Sequence, residues 1–197
     1  MTLEFASELY ERELARREHL VSAVSLPAGI LALVGGLLGA VANDFTYSNK
    51  VLTAFFAVAL IMAAACFAWS LWNLLRAHVG HVYEFLPRPK TLHEFYLGTL
   101  AHYRDEPDPP VRARVDFDDL LLRRYVEAAE KNTNTNDRKS EILHQANRAL
   151  ASAMVLALLC GVLHAIDMRM SAQERRGTAE AGVPHKVEVV GYEQSRR

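Results

Sequence analysis

The chain has 197 residues, and its 22 Lys and Arg side chains against 23 Asp and Glu give a formal net charge of −1. This balance gives no electrostatic case for nucleic acid as a partner, nor for an acidic ligand. Hydrophobic residues make up 51% of the chain, and they are gathered into three apolar stretches separated by charged segments.

Residues 1–19 are predicted to form a cytoplasmic amphipathic helix. Leu3, Ala6 and Leu14 recur at helical spacing, and Thr2 can cap the first turn. Acidic residues outnumber arginines in this segment, which disfavours binding to anionic lipid. We therefore expect this helix to pack on the other cytoplasmic helices.

Two long stretches, residues 20–42 and 51–75, predict a transmembrane hairpin. Neither contains Asp, Glu, Lys or Arg, and each exceeds the roughly 20 residues that a helix needs to cross a hydrocarbon core. The short turn at residues 43–50 allows only an antiparallel reversal. Lys and Arg are more frequent on the outer flanks than in the turn, so both ends of the hairpin should face the cytoplasm.

The rest of the chain is predicted to contain three further parts. Residues 76–148 should form a cytoplasmic helical region, and residues 149–166 a third transmembrane helix, although this stretch is near the lower length limit for a span. The flanking charges do not decide on which side the chain then emerges. Residues 167–197 lack apolar periodicity and are predicted to be a flexible tail.

Small residues recur at every fourth position in the first and third apolar stretches. They are Ala28, Ala32, Gly36 and Ala40, with the GxxxG pair Gly35 and Gly39, in the first stretch, and Ala153, Ala157 and Gly161 in the third. In lipid, such faces let helices approach closely. We therefore predict that these residues pack the spans.

A heptad pattern lies in the cytoplasmic region, on a helix predicted to begin near Asp116 and to run to about Met170. Its members are Leu122, Tyr125, Ala129, Asn132, Asn136 and Leu143. We predict that this seam joins the subunits of a homo-oligomer, with buried asparagines fixing the register. The alternative is that residues 132–137 (NTNTND), which are all poor helix formers, break the helix.

Two polar side chains are predicted to lie within the membrane, Asn73 in the second span and His164 in the third. An ionisable group at such a depth needs a partner or water. His164 therefore either lines an aqueous path or lies near the far interface, one turn from Asp167.

No pattern of an enzyme accompanies these helices. The chain has no Gly-rich phosphate loop and no nucleophile motif, and its histidines lack the spacing of metal ligands. Cys66 and Cys160 lie inside apolar stretches, which indicates buried thiols rather than a disulfide framework. The sequence therefore predicts a non-enzymatic protein without a cofactor or a metal.

The order of a cytoplasmic helix, a tight membrane hairpin and a helical cytoplasmic region resembles the two-transmembrane effectors of bacterial anti-phage defence systems. The stretches 83–87 (YEFLP) and 136–148 (NDRKS through NR) are also similar to stretches in uncharacterised bacterial membrane proteins of this size. The predicted third span departs from the two-span plan. The resemblance implies a protein that oligomerises and perturbs the inner membrane when triggered.

These features together predict an all-α, multi-pass protein of the bacterial inner membrane. The leading interpretation is an oligomeric effector or channel-like protein that responds to a cytoplasmic signal. Its expected partners are the lipid bilayer, further copies of itself and a separately encoded sensor protein. The alternative is a non-catalytic anchor or scaffold for a partner protein, and it is favoured by the scarcity of polar residues that could line a water path: Ser70, Asn73 and His164.

Overall fold

The computed structural model describes residues 1–47 and 49–181, with side chains as far as residue 173. Its helices are α1 (Leu3–Ser22), α2 (Ser25–Asp44), α3 (Lys50–His78), α4 (Pro89–His102) and α5 (Pro109–Ala181). The described residues contain no strand, so the predicted all-α class is confirmed. Three helical segments of the described chain are long and apolar enough to cross a membrane: residues 3–44, which contain both α1 and α2, residues 50–78, and residues 109–173.

The molecule has two halves that differ in polarity. We call α2, α3 and residues 149–166 the apolar half. We call α1, the segment 79–108 and residues 109–148 the polar half. Because α5 is a single helix that belongs to both, it is the element that joins them.

Helix α1 is followed by α2 after a break of two residues, Ala23 and Val24. Pro27 explains this break, because its ring removes the N–H that would bind the carbonyl of Ala23 and also clashes with that carbonyl. The hydroxyl of Ser22 donates to the carbonyl of His19 at 2.9 Å, which satisfies one of the last carbonyls of α1. As expected, α1 packs on α5, and it buries Ala6 and Tyr10.

Helices α3 and α5 pack antiparallel in the apolar half. Near one end, the hydroxyl of Ser70 donates to the carbonyl of Ala146 at 2.9 Å. Towards the other end, small side chains let the two helices share one buried cluster, which includes Ala59, Ala63 and Ala157. Residues early in the apolar part of α3 thus pack near Ala157, and the later residue Ser70 binds Ala146, which precedes Ala157 in α5. The two helices therefore run in opposite directions.

The carboxylate of Asp167 closes the opposite end of the apolar half. Asp167 is fully buried, and it accepts hydrogen bonds from the Thr46 backbone N–H at 2.8 Å and from the Thr46 hydroxyl at 2.5 Å. Beside it, Phe45 stacks on Phe56 with ring centroids 4.0 Å apart. The apolar part of α5 therefore ends beside the turn between α2 and α3, after running the length of both helices.

The chain leaves α3 in a non-helical segment at residues 79–88. Gly80 adopts a φ of 87° there, a conformation that L side chains rarely adopt. Pro89 then occupies the first turn of α4, where a helix does not need the missing N–H. All 14 residues of α4 are at least partly exposed.

Helix α5 starts and ends elsewhere than predicted. It begins at Pro109, because Pro109 and Pro110 both fit a first helical turn. The predicted start near Asp116 is wrong: Asp116 lies inside α5, and its carboxylate accepts a hydrogen bond from the Tyr103 hydroxyl at 2.7 Å. At the other end α5 continues beyond residue 166 to Ala181, and the remainder of the predicted tail, residues 182–197, lies outside the described residues.

Replacing Thr46 by Val should lower the free energy of unfolding by about 1–3 kcal/mol, because a buried carboxylate loses a charge-assisted hydrogen bond. Thr53→Val is the matched control. Its hydroxyl is buried and has no hydrogen-bond partner within the described part of the chain, so the same substitution should be neutral there. Thermal unfolding of the full chain in detergent, followed by circular dichroism, measures both. Equal destabilisation by the two variants would contradict a stabilising bond between Thr46 and Asp167.

Candidate functional site

Two buried asparagines of α5 hold the polar half together. We call them, with their partners Glu13, Tyr83 and Glu84, the asparagine junction. The side chain of Asn132 binds the backbone of Glu84 twice: its oxygen accepts from the N–H at 2.9 Å, and its amide donates to the carbonyl at 3.0 Å. Because a carboxamide presents a donor and an acceptor side by side, Asn132 can pair with an extended backbone much as a neighbouring strand would.

Asn136 connects the same non-helical segment to α1. Its side-chain oxygen accepts a hydrogen bond from the hydroxyl of Tyr83 at 2.9 Å. Its amide donates to the Glu13 carbonyl at 2.9 Å and to the Glu13 carboxylate at 2.8 Å. Both asparagines are fully buried, so each of these hydrogen bonds compensates for a polar group removed from water.

Charged side chains surround the asparagine junction. The guanidinium of Arg17 lies over the ring of Tyr83 at 4.9 Å from its centroid, a cation–π contact. Arg16 pairs with Asp137 at 2.7 Å. Burial raises the pKa of the Tyr83 hydroxyl, although the positive charge of Arg17 lowers it. The tyrosine therefore remains a neutral donor to Asn136.

This arrangement explains why the helix continues through residues 132–137, so that the alternative of a helix break there is wrong. Asparagine and threonine disfavour helices because their side chains compete for nearby backbone groups. Here the Asn132 and Asn136 side chains bind partners on other segments, and the Thr133 hydroxyl donates to the Ala129 carbonyl within the helix at 2.9 Å. With these groups engaged, α5 continues without interruption.

The heptad seam, which we predicted to join subunits, faces other helices of the same chain. Tyr125 packs edge to face on Tyr10 of α1, with ring centroids 5.6 Å apart. Ala129 belongs to the cluster around Tyr10, and Leu143 to the cluster that contains Leu74 of α3. The remaining members are placed as follows: Leu122 is half-buried, and Asn132 and Asn136 form the asparagine junction. A heptad pattern specifies an apolar face but not whether its partner is a second chain.

The predicted small-residue faces of α2 and α5 have different surroundings. On α5, Ala153 and Ala157 are buried in the cluster shared with α3, and Gly161 is half-buried. On α2 the small residues lie on the outer side, together with the exposed side chains of Leu26, Leu33 and Leu37. The buried residues are Pro27, Leu31, Val34, Leu38 and Val41, whereas Ala28, Ala32, Gly36, Gly39 and Ala40 are exposed, and Gly35 is half-buried.

The outward face of α2 has room for another helix. A Cβ atom added at Gly36 or Gly39 would meet no atom within 4 Å in the described chain. At Gly35, by contrast, it would approach the ring of Phe67 to 3.2 Å. Gly35 therefore packs within the chain, and the small residues on the other side of α2 do not.

The polar side chains predicted within the membrane do not form a continuous line. Asn73 is buried, and its amide donates to the carbonyl of Trp69 on its own helix at 2.9 Å. His164 is half-buried near Phe45, at 6.4 Å between ring centroids. It lies one turn from Asp167, at the end of the apolar half. Ser70 and Asn73 thus lie near one end of α3, and His164 near the other.

Within residues 1–173, no three His, Cys, Asp or Glu side chains are close enough together to hold a metal ion. Comparison with known proteins assigns no relative: no family model matches the chain, and no match was found among curated proteins or solved structures. The two features that distinguish the described part of the chain are the asparagine junction and the outward face of α2.

Asn136→Ala should lower the free energy of unfolding by about 1–3 kcal/mol, because the Glu13 carbonyl and the Tyr83 hydroxyl lose their partner. It should also make residues 79–88 more sensitive to protease. Asn134→Ala is the matched control, since Asn134 lies in the same turn of α5 but is exposed, and it should change stability by less than about 0.5 kcal/mol. Proteolysis and thermal unfolding of the full chain measure these effects. A similar loss of stability in both variants would contradict a stabilising role of the asparagine junction.

Proposed function

We propose that this chain is a homo-oligomeric effector of the bacterial inner membrane, which perturbs the bilayer in response to a cytoplasmic signal. The observation that carries this proposal is the exposed stripe of small residues on α2, Ala28, Ala32, Gly36 and Ala40, which recurs at every fourth position beside the exposed Leu26, Leu33 and Leu37. Lipid gives no reason to place alanine and glycine on an outer surface, whereas a second helix packs best on such a face. Copies of the chain therefore assemble through Ala32 and Gly36.

The continuity of α5 supports a coupling between the two halves. Its 73 residues correspond to a length of about 110 Å at 1.5 Å per residue. The asparagine junction fixes α1 and residues 79–88 to the polar part of this helix, and α3 packs on its apolar part. A displacement of the polar half is therefore transmitted to the spans along one rigid element.

A signal would be received on the exposed polar half. Helix α4 is the most open element, since all of its 14 residues are at least partly exposed, and Phe95 and Leu97 are among its exposed apolar side chains. A separately encoded sensor protein that binds α4 would act through the adjacent N-terminal part of α5.

A second candidate function is a non-catalytic membrane anchor or scaffold. It is favoured by the bonding of the polar groups in the apolar half, because Ser70 and Asn73 donate to backbone carbonyls and do not line a path for water. Under this function the polar half would hold a partner at the membrane, and assembly through α2 would not depolarise the cell.

Membrane potential in bacteria that express the full chain separates the two functions. An effector should depolarise the cells, and Ala32→Leu should abolish the depolarisation because the added side chain blocks the outward face of α2. Ala65→Leu is the matched control, since it makes the same substitution at an exposed position of α3. It should leave depolarisation unchanged at equal membrane abundance. The absence of depolarisation at high abundance, with the polar half bound to its sensor, would favour the scaffold.

A further inference from the structure

A cleft lies where α3 leaves the apolar half. Its volume is about 370 Å³, and it is formed by the end of α3, the turn at Gly80 and the facing part of α5. The lining residues are Trp72, Leu75, Arg76, Val79, Gly80, His81, Arg138 and Ile142. One side is thus apolar and the other carries two guanidinium groups, one from each helix.

The positive charges at this cleft have no ion-pair partner in the described part of the chain. Among the residues described with side chains, neither Arg76 nor Arg138 forms an ion pair, and no Asp or Glu lines the cleft. His81 is oriented there by a contact of 3.2 Å between its Nε2 atom and the Arg76 carbonyl. Nearby, at the asparagine junction, Arg17 contacts the aromatic rings of Tyr83 and Phe85.

Lys139 adds a further cation behind the cleft. Only 4% of this residue is exposed, and no acidic partner lies within ion-pair distance in the described part of the chain. Burial, and then the positive charge of Arg17, lower the pKa of its amine. Burial also lowers the pKa of His81, and the charges of Lys139 and Arg138 lower it further. Apart from burial, what lowers these pKa values is the repulsion between cations, those of Arg17, Arg138 and Lys139. Such a group of like charges destabilises the fold unless an anion compensates for it.

The position of the cleft relative to the lipid headgroups indicates that the anion belongs to a lipid. Trp72 and Leu75 are more than half exposed, and they follow the apolar part of α3, where a tryptophan lies at the level of the lipid headgroups. Arg76 comes directly after them, and the long side chain of Arg138 can extend towards the same interface. A lipid whose acyl chain packs on Trp72 and Leu75 therefore has its headgroup between Arg76 and Arg138.

We propose that this cleft binds the phosphate of an anionic phospholipid, with Arg76 and Arg138 as its ligands and with Trp72 and Leu75 in contact with the acyl chain. The guanidinium forks supply paired donors to the phosphate oxygens. The bound lipid compensates for the charge of Lys139 and joins α3 to α5 where the turn at Gly80 separates them. This site requires membrane insertion but not the effector function proposed above.

Tryptophan fluorescence can test this site directly, because the chain contains two tryptophans and Trp69→Phe leaves Trp72 as the reporter. The full chain is reconstituted in nanodiscs of phosphatidylcholine that contain either brominated phosphatidylglycerol or brominated phosphatidylcholine. We expect brominated phosphatidylglycerol to quench Trp72 at a lower mole fraction. Arg76→Gln and Arg138→Gln should each weaken this preference by about tenfold, the value of one charge-assisted hydrogen bond.

Arg148→Gln is the matched control, because Arg148 is an exposed arginine of α5 that lines a different hollow. It should keep the preference for phosphatidylglycerol. An equal loss in all three variants would overturn the proposal in favour of general surface charge, and so would equal quenching by the two lipids. If excess inorganic phosphate relieves the quenching by phosphatidylglycerol, the cleft binds a soluble phosphate and the assignment to lipid is wrong. Circular dichroism of each variant verifies that the helices are intact.

Discussion

The hydrogen bonds between two buried asparagines of α5 and the backbone of other segments are the constraint on which the polar half depends. Asn132 binds the backbone of Glu84, and Asn136 binds Glu13 and Tyr83. These bonds replace water for groups that would otherwise be buried without partners. Because they leave the helix, they also let a polar run of poor helix formers remain helical, so that α5 reaches from the polar half into the apolar half without a hinge.

This use of α5 determines which surfaces remain for other molecules. The seam that includes Tyr125, Asn132 and Leu143 is occupied by α1, residues 79–88 and α3 of the same chain. Ala153 and Ala157 of α5 are likewise buried in the cluster shared with α3. Among the surfaces left open are the small-residue face of α2, the exposed helix α4 and the basic cleft at Arg76 and Arg138. We propose a different partner for each: a second copy, a sensor protein and a phospholipid.

The sequence predicted the helices well, because long apolar runs and their flanking charges are local properties. The predicted second span, residues 51–75, lies within α3, and the predicted first span, residues 20–42, overlaps α2 but also includes the end of α1. Residues 149–166 are helical, but they are an internal part of α5 and not a separate helix. The segments that pack on each helix were harder to predict, since a heptad pattern or a small-residue stripe indicates a contact face but not the segment that contacts it. The role of Tyr83 and Glu84 was missed for a related reason. Asn132 binds the backbone N–H and carbonyl of Glu84, and because nearly all residues have these groups, the sequence does not indicate which of them will be bound. The group of positive charges around Lys139 was also missed, because Arg17 is distant in sequence and comes close to Lys139 only in the fold.

Disulfide cross-linking between copies in native membranes tests the central claim, that the seam of α5 is used within the chain and the face of α2 between chains. Single cysteines are placed at Ala32→Cys or Leu143→Cys in a chain whose own two cysteines are replaced, Cys66→Ser and Cys160→Ala. We expect rapid formation of a cross-linked dimer at position 32 and none at position 143, where the side chain is buried against α3. A dimer formed through position 143 but not through position 32 would contradict it, and would return the seam to subunit assembly.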